Sequence, residues 1–289
     1  MKLVSFALGG TEQLGVVDRG RLVRATDLGR GVATTMAELL ARWPASLETL
    51  RVAWDTGAVG DGTTLGEVEL LAPVVRPGKI ACAGVNYRDH ASEQNREAPD
   101  HPVMFAKFAT SVVGDGAEIR WSPKLTQAVD FEAELAVVIG ATCRRVSVAR
   151  ALDYVAGYTC LNDVSARDLQ YSDKQFVRAK SLDTFCPMGP WLVTADEIPE
   201  PQTLDIRCLV NGVVMQDSNT SDMVFGVAEL ISFCSQAFTL EPGDVIATGT
   251  PGGVGWFREP KQMLKDGDDV IVEIERLGRL VNRCVETNA

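Results

Sequence analysis

Val129-Asp130-Phe131-Glu132-Ala133-Glu134-Leu135-Ala136-Val137-Val138-Ile139-Gly140 is the stretch from which the rest of the chain can be read. Residues 135–139 form a near-continuous apolar run, the mark of a strand buried on both faces. Ahead of that run the pattern alternates. Asp130, Glu132 and Glu134 share one face, and Phe131, Ala133 and Leu135 share the other. Strand residues two apart lie about 6.5 Å from each other, so Glu132 and Glu134 can lean together onto a single ion. Negative charge carried to the edge of a core is costly unless a cation or hydrogen bonds offset it. The plain alternative is an exposed strand end bearing two solvated carboxylates, since acidic side chains are mostly found on surfaces.

The bulk composition narrows the classes. With 289 residues the chain can form one large domain, or a large and a small one, around a sizeable core. A net charge of −11 argues against nucleic acid and anionic membranes as partners, and means that an anionic ligand needs a local cation. The amino terminus has too short an apolar run for a signal peptide, and no segment approaches the roughly 20 apolar residues that span a bilayer. Seven cysteines, none in a Cys-x-x-Cys pattern, read as reduced thiols of a cytoplasmic protein.

Residues 1–73 read as a small unit of their own: a strand over 2–7, a hairpin around Arg19-Gly20, and a helix over 36–43 opened by the capping-box spacing of Thr35 and Glu38. It offers no nucleophile and no carboxylate cluster, so its expected role is support or dimerisation. The proline-punctuated stretch 71–78 places a boundary, and residues 74–289 form the larger domain. A short strand over 79–83 is followed by a helix start in which His90 and Glu93 stand at i, i+3. A histidine oriented by a carboxylate is the usual form of a water-activating base, and a surface ion pair is the plain alternative. The polar stretch 94–101 reads as a lid. Lys107, alone in the apolar run 102–108, either snorkels to the surface or meets an anionic ligand.

Residues 148–155 read as a helix, and the apolar segment after them as a strand that ends at Asn162-Asp163, with a helix starting at Asp163 or Ser165. Asp163 is there either a third ligand or a helix cap. Asn211-Gly212 marks a hairpin, 223–238 an amphipathic helix, and 264–285 two final strands. The loop 249–255 lacks the Lys-Ser/Thr of a phosphate loop, so a nucleotide site is rejected; close backbone approach to a ligand is expected, with Thr250 as a polar contact. The class is α+β, rich in strands.

Taken in order, GVNYRDHASE (84–93), DFEAELAVVIG (130–140), YTCLNDVSARDLQ (158–170), RAKSLDTFCPMGP (178–190), NGVVMQDSNTSDMVF (211–225) and LEPGDVIATGTPGGVG (240–255) resemble the fumarylacetoacetate hydrolase family. The resemblance implies a mixed β-sandwich roll, usually dimeric, with a small amino-terminal α/β domain. It makes Glu132, Glu134 and Asp163 ligands of Mg²⁺ (or Mn²⁺), His90 and Glu93 a water-activating dyad, and Lys180 the lysine facing substrate. Gln170, Lys107 and Thr250 stand at positions of further substrate contacts. Asn86 lies near where the eukaryotic namesake uses a further acid, which points to the three-carboxylate bacterial type.

The implied substrate is a small 2-oxo or 2,4-diketo acid. Hydrolysis of the C3–C4 bond of an acylpyruvate, through a pyruvate enolate held by the metal, is the favoured activity. Oxaloacetate decarboxylation and 2-hydroxydienoate isomerisation can share the same site, and a non-catalytic metal- or ligand-binding protein is the reading from another class.

Overall fold

The computed structural model describes residues 1–57 and 62–288. Among these residues, the strands form a sheet of twelve, a sheet of five and a two-stranded pair. The Ala133–Ile139 strand lies inside the large sheet, antiparallel to Val155–Asn162 on one side and to Val245–Ala247 on the other. Both of its faces are covered, which is why its sequence is apolar without interruption. Leu135, Val137 and Ile139 pack toward the five-stranded sheet, sharing a core with Ile206, Cys208, Val270 and Val272. Ala136 and Val138 face the opposite core, together with Leu3, Leu14, Leu39 and Leu50 of the amino-terminal segment. Burial of side chains of this size stabilises by about 1.5–3 kcal/mol each relative to exposure.

The boundary expected near residue 73 does not divide the sheet. Lys2–Leu8 pairs directly with Cys186–Thr194, so the amino-terminal strands extend the large sheet edge to edge. A helix over Ala45–Thr56, absent from the sequence reading, closes this end. The helix expected over 36–43 stops at Ala41; Thr35 caps it by accepting from the Glu38 amide at 3.2 Å.

Other elements begin later or end sooner than their apolar patterns. The segment 148–155 gives only one helical turn, Val148–Ala151, before a 3₁₀ turn and the next strand. The helix expected from 223 begins at Val227 and runs to Ala237. Asn211 and Gly212 adopt φ of 52° and 79°, so the hairpin turn has both central residues left-handed, as Asn-Gly favours. No helix among the described residues is long and apolar enough to cross a membrane.

Candidate active site

The antiparallel register pairs Ala133 with Asn162, which sets Asp163 beside Glu132. The Asp163 amide donates to the Glu132 carbonyl at 2.9 Å, and the Glu132 amide to Asn162 Oδ1 at 3.0 Å. Glu132, Glu134 and Asp163 are all buried, and one carboxylate oxygen from each lies within 4.8 Å of the others. Asp163 is no helix cap: a short bridge at Ser165–Ala166 intervenes, and the next helix starts at Arg167.

Three cations press on these carboxylates. Lys180 Nζ donates to Glu132 Oε2 at 2.6 Å and to Asp163 Oδ2 at 2.7 Å. Arg167 holds Asp130 Oδ2 through Nε at 2.8 Å, while its Nη2 stands 2.7 Å from Glu132 Oε1. Lys107 Nζ donates to Asp163 Oδ1 at 2.6 Å. Burial acts to raise the Glu132 carboxyl, but Lys180 and Arg167 outweigh it and hold the group down to about 2. For Lys180, burial favours the neutral amine, yet Asp163 and Glu132 prevail and keep it an ammonium.

Glu134 is different. Its Oε2 accepts from the Gly249 amide at 2.8 Å, and it has no ion-pair partner among the described residues. Burial first, then Asp163 and Glu132, push it well above the ordinary carboxylate range. The ion-paired network sets three carboxylates (Asp130, Glu132, Asp163) against three cations (Lys107, Arg167, Lys180), so Glu134, once ionised, is the one negative charge that no cation balances. A hard divalent cation ligated by the oxygen trio fits this deficit and leaves the cluster net positive by one, suited to an anionic substrate.

The glycine-rich loop serves carboxylates. The amides of Gly249, Gly252, Gly253 and Gly255 donate to Glu134, Asp89, Glu93 and Asp130 at 2.7–2.9 Å. Side chains have no room there: a Cβ on Gly255 would meet Gln262 O at 2.0 Å and Asp130 Oδ1 at 2.7 Å. The sequence predicts close backbone approach to a ligand; the approach found here is to the protein's own acids.

His90 and Glu93 lie on the Arg88–Glu93 helix as expected, with Nδ1 2.6 Å from Glu93 Oε1. A pocket of about 250 Å³ brings His90 together with Glu132, Glu134, Lys180, Gln170 and Thr250. Phe105, Tyr171, Phe176 and Phe257 supply its apolar wall. Gln170 Oε1 accepts from Arg167 Nη1 at 3.1 Å. Thr250 Oγ1 accepts from Gln216 Nε2 at 2.7 Å, which leaves its hydroxyl proton free to donate.

Lys107 does not line this pocket; it is buried behind Asp163. Asn86 is spent on loops, donating to Thr248 O and Phe225 O and accepting from the Phe225 amide. Sequence reasoning passed over Arg167, although it precedes Gln170 by three on one helix face, and Asp130, which shares its alternation with Glu132 and Glu134.

Residues 79–285, which contain every one of these groups, match the family description "Fumarylacetoacetate (FAA) hydrolase C-terminal". The chain belongs to the fumarylacetoacetate hydrolase family. It is 49% identical over 253 residues to the mitochondrial oxaloacetate tautomerase FAHD2A of Bos taurus, covering 87% of this chain and 80% of the relative. The fumarylacetoacetate hydrolase of Exiguobacterium antarcticum superposes with a TM-score of 0.88 at 37% identity, over 99% of this chain and 100% of that one. The maleylpyruvate hydrolase of Sphingobium sp. SYK-6, solved with manganese(II) and pyruvate, superposes with a TM-score of 0.80 at 32% identity, over 99% of each. The strand-rich α+β fold expected from sequence is that of this family.

Proposed function

We propose that this chain is a divalent-metal-dependent enzyme of 2-oxo acid enolate chemistry, and that its reaction is the keto–enol tautomerisation of oxaloacetate. The observation that carries the reading is the buried carboxylate trio, bridged by Lys180, in one pocket with a carboxylate-oriented imidazole. The curated tautomerases, at 43–49% identity for those named as such, favour oxaloacetate over the acylpyruvate expected from sequence.

Glu132, Glu134 and Asp163 would hold a divalent cation, which would supply Lewis acidity to a 2-oxo acid bound in the pocket. The residues do the rest. Lys180 spends two N–H bonds on Glu132 and Asp163 and keeps a third for a substrate oxygen. Arg167 and the Thr250 hydroxyl add donors for carboxylate oxygens. His90 Nε2 takes a proton from C3 of the keto acid; the imidazolium returns it to O2, giving the enol, and the reverse sequence restores the ketone. Glu93 holds the ring and offsets its charge while the proton is on it.

The same dyad can instead deprotonate a water that attacks C4 of an acylpyruvate. The maleylpyruvate hydrolase likeness supports that second reading.

The test is an assay of purified protein with Mg²⁺ or Mn²⁺, and with chelator. Loss of enol absorbance from freshly dissolved oxaloacetate is followed beside acetylpyruvate cleavage and CO₂ release. Metal-dependent acceleration of oxaloacetate interconversion without CO₂ is expected. Cleavage of acetylpyruvate alone moves the assignment to the hydrolase, and CO₂ release to the decarboxylase. Absence of turnover in all three assays overturns it.

A further inference from the structure

Both ring nitrogens of His90 are occupied. Glu93 Oε1 stands 2.6 Å from Nδ1, and Glu93 Oε2 accepts from the Gly253 amide at 2.7 Å. An ionised carboxylate only accepts, so Nδ1 carries the ring proton and Nε2 presents its lone pair. Against that lone pair, at 2.7 Å, stands Nε2 of the Gln94 carboxamide. Reversing the amide would bring its oxygen against the same lone pair, a repulsive contact while the ring is neutral, so the donor orientation follows from the tautomer.

Phe257 meets the ring edge-on, with centroids 6.1 Å apart. Gln94 follows the Arg88–Glu93 helix, where Asn95 turns left-handed (φ 52°) into a segment without helix or strand as far as residue 102. Its contact with His90 is the only hydrogen bond of its side chain among the described residues.

We propose that Gln94 is a positioning residue that masks the base: its carboxamide caps the Nε2 lone pair that the Glu93-set Nδ1–H tautomer of His90 presents, and must withdraw before His90 can take a substrate proton. This rests on the assignment of His90 as the base. The charged groups around the ring are Glu93 on its own helix, Arg96 beyond it, and Glu132, Glu134, Arg167, Lys174 and Lys180 lining the same pocket. None of them accounts for a neutral donor seated on Nε2.

The proposal has a kinetic signature. The cap stabilises only the free enzyme with a neutral ring, and it is gone once substrate reaches Nε2. Gln94→Met keeps the bulk and removes the donor. The kcat/KM plateau should then rise about two- to tenfold, the worth of one ordinary hydrogen bond. Its acid limb should move up by about 0.3 to one pH unit, so that the acid-side values of variant and wild type coincide. The kcat profile should stay where it is, because it reports the complex. A parallel fall of kcat and kcat/KM at every pH would overturn the proposal, making Gln94 a support for the fold or the reaction.

Gln94→Ala serves if the Met variant misfolds. The second measurement needs no turnover. The chain has two histidines, so imidazole nitrogen NMR of the metal-free protein contains two rings. Wild type should show one ring locked as Nδ1–H with a hydrogen-bonded Nε2, and Gln94→Met should change that Nε2 signal alone. Identical spectra overturn the cap. Wild type inactive on every 2-oxo acid, with the Nε2 change present, overturns the functional reading and leaves the contact standing.

Discussion

Lys107 Nζ and Asp163 Oδ1 form a 2.6 Å ion pair with neither side chain exposed. That relationship makes Lys107 a buried counter-charge to Asp163. Losing one partner of a buried pair costs about 3–5 kcal/mol, because the other charge stays behind in the interior. Lys107→Met should therefore lower the denaturation midpoint of the metal-free protein strongly, and added Mg²⁺ should recover part of the loss by supplying positive charge near Asp163. KM for oxaloacetate at saturating metal should change little. A raised KM with an unchanged midpoint would return Lys107 to the substrate.

Asp130 gathers the Arg167 guanidinium and the amides of Gly255 and Trp256 at 2.8–3.1 Å, so it ties the glycine-rich loop to the arginine that also meets Glu132. Asp130→Asn keeps the shape but loses the charge that balances a buried guanidinium. Chemical denaturation should show a loss of about 3–5 kcal/mol, and kcat/KM should fall as Arg167 leaves its place between Asp130 and Glu132.

Much of this was legible in the chain itself. The apolar run of 135–139 located the central strand because burial on both faces leaves no polar alternation, and Glu132 and Glu134 stood out as charges carried into it. The same logic brought Asp163 forward at the end of a second buried strand as a ligand or a helix cap, and only the family resemblance chose between them. An isolated lysine in an apolar run, as at Lys107, announces a buried cation without naming its partner, here Asp163, 56 residues away. The four amide donors of the 249–255 loop were hidden for a related reason: glycines reveal that backbone must come close, but only the fold says to what. The shared sheet across residue 73 was invisible because strand pairing between distant edges leaves no local mark.

Lys180 holds Glu132 and Asp163 together, and its remaining N–H is the donor proposed for the substrate oxygen. Lys180→Met should reduce kcat by about 10²–10³, the scale seen when a donor to a developing oxyanion is lost. Lys180→Arg should not restore it, since a planar guanidinium cannot occupy a buried point-charge position between two carboxylates. Turnover at saturating metal, with folding checked by the denaturation midpoint, separates this outcome from simple instability.

Glu134 gives the metal-free protein an inverted pH dependence. Its folded-state carboxyl is raised well above its unfolded value by burial and by the neighbouring Asp163 and Glu132. Between those two values the folded protein holds a proton that the unfolded chain has released, so stability falls as pH rises through that window. Glu132 runs the other way: held down to about 2, it contributes stability above the ordinary carboxylate range that is lost as pH falls toward 2. Metal-free wild type should therefore lose thermal stability on going from the carboxylate range toward neutral pH, and Glu134→Gln, which carries no proton to release, should flatten that decline. Mg²⁺ or Mn²⁺ should flatten it as well by offsetting the Glu134 charge directly, raising stability by about 2.7 kcal/mol at a hundredfold excess over Kd. Thermal melts of wild type and variant, with metal and with chelator across that range, decide it; a decline equally steep in Glu134→Gln would remove Glu134 as its source.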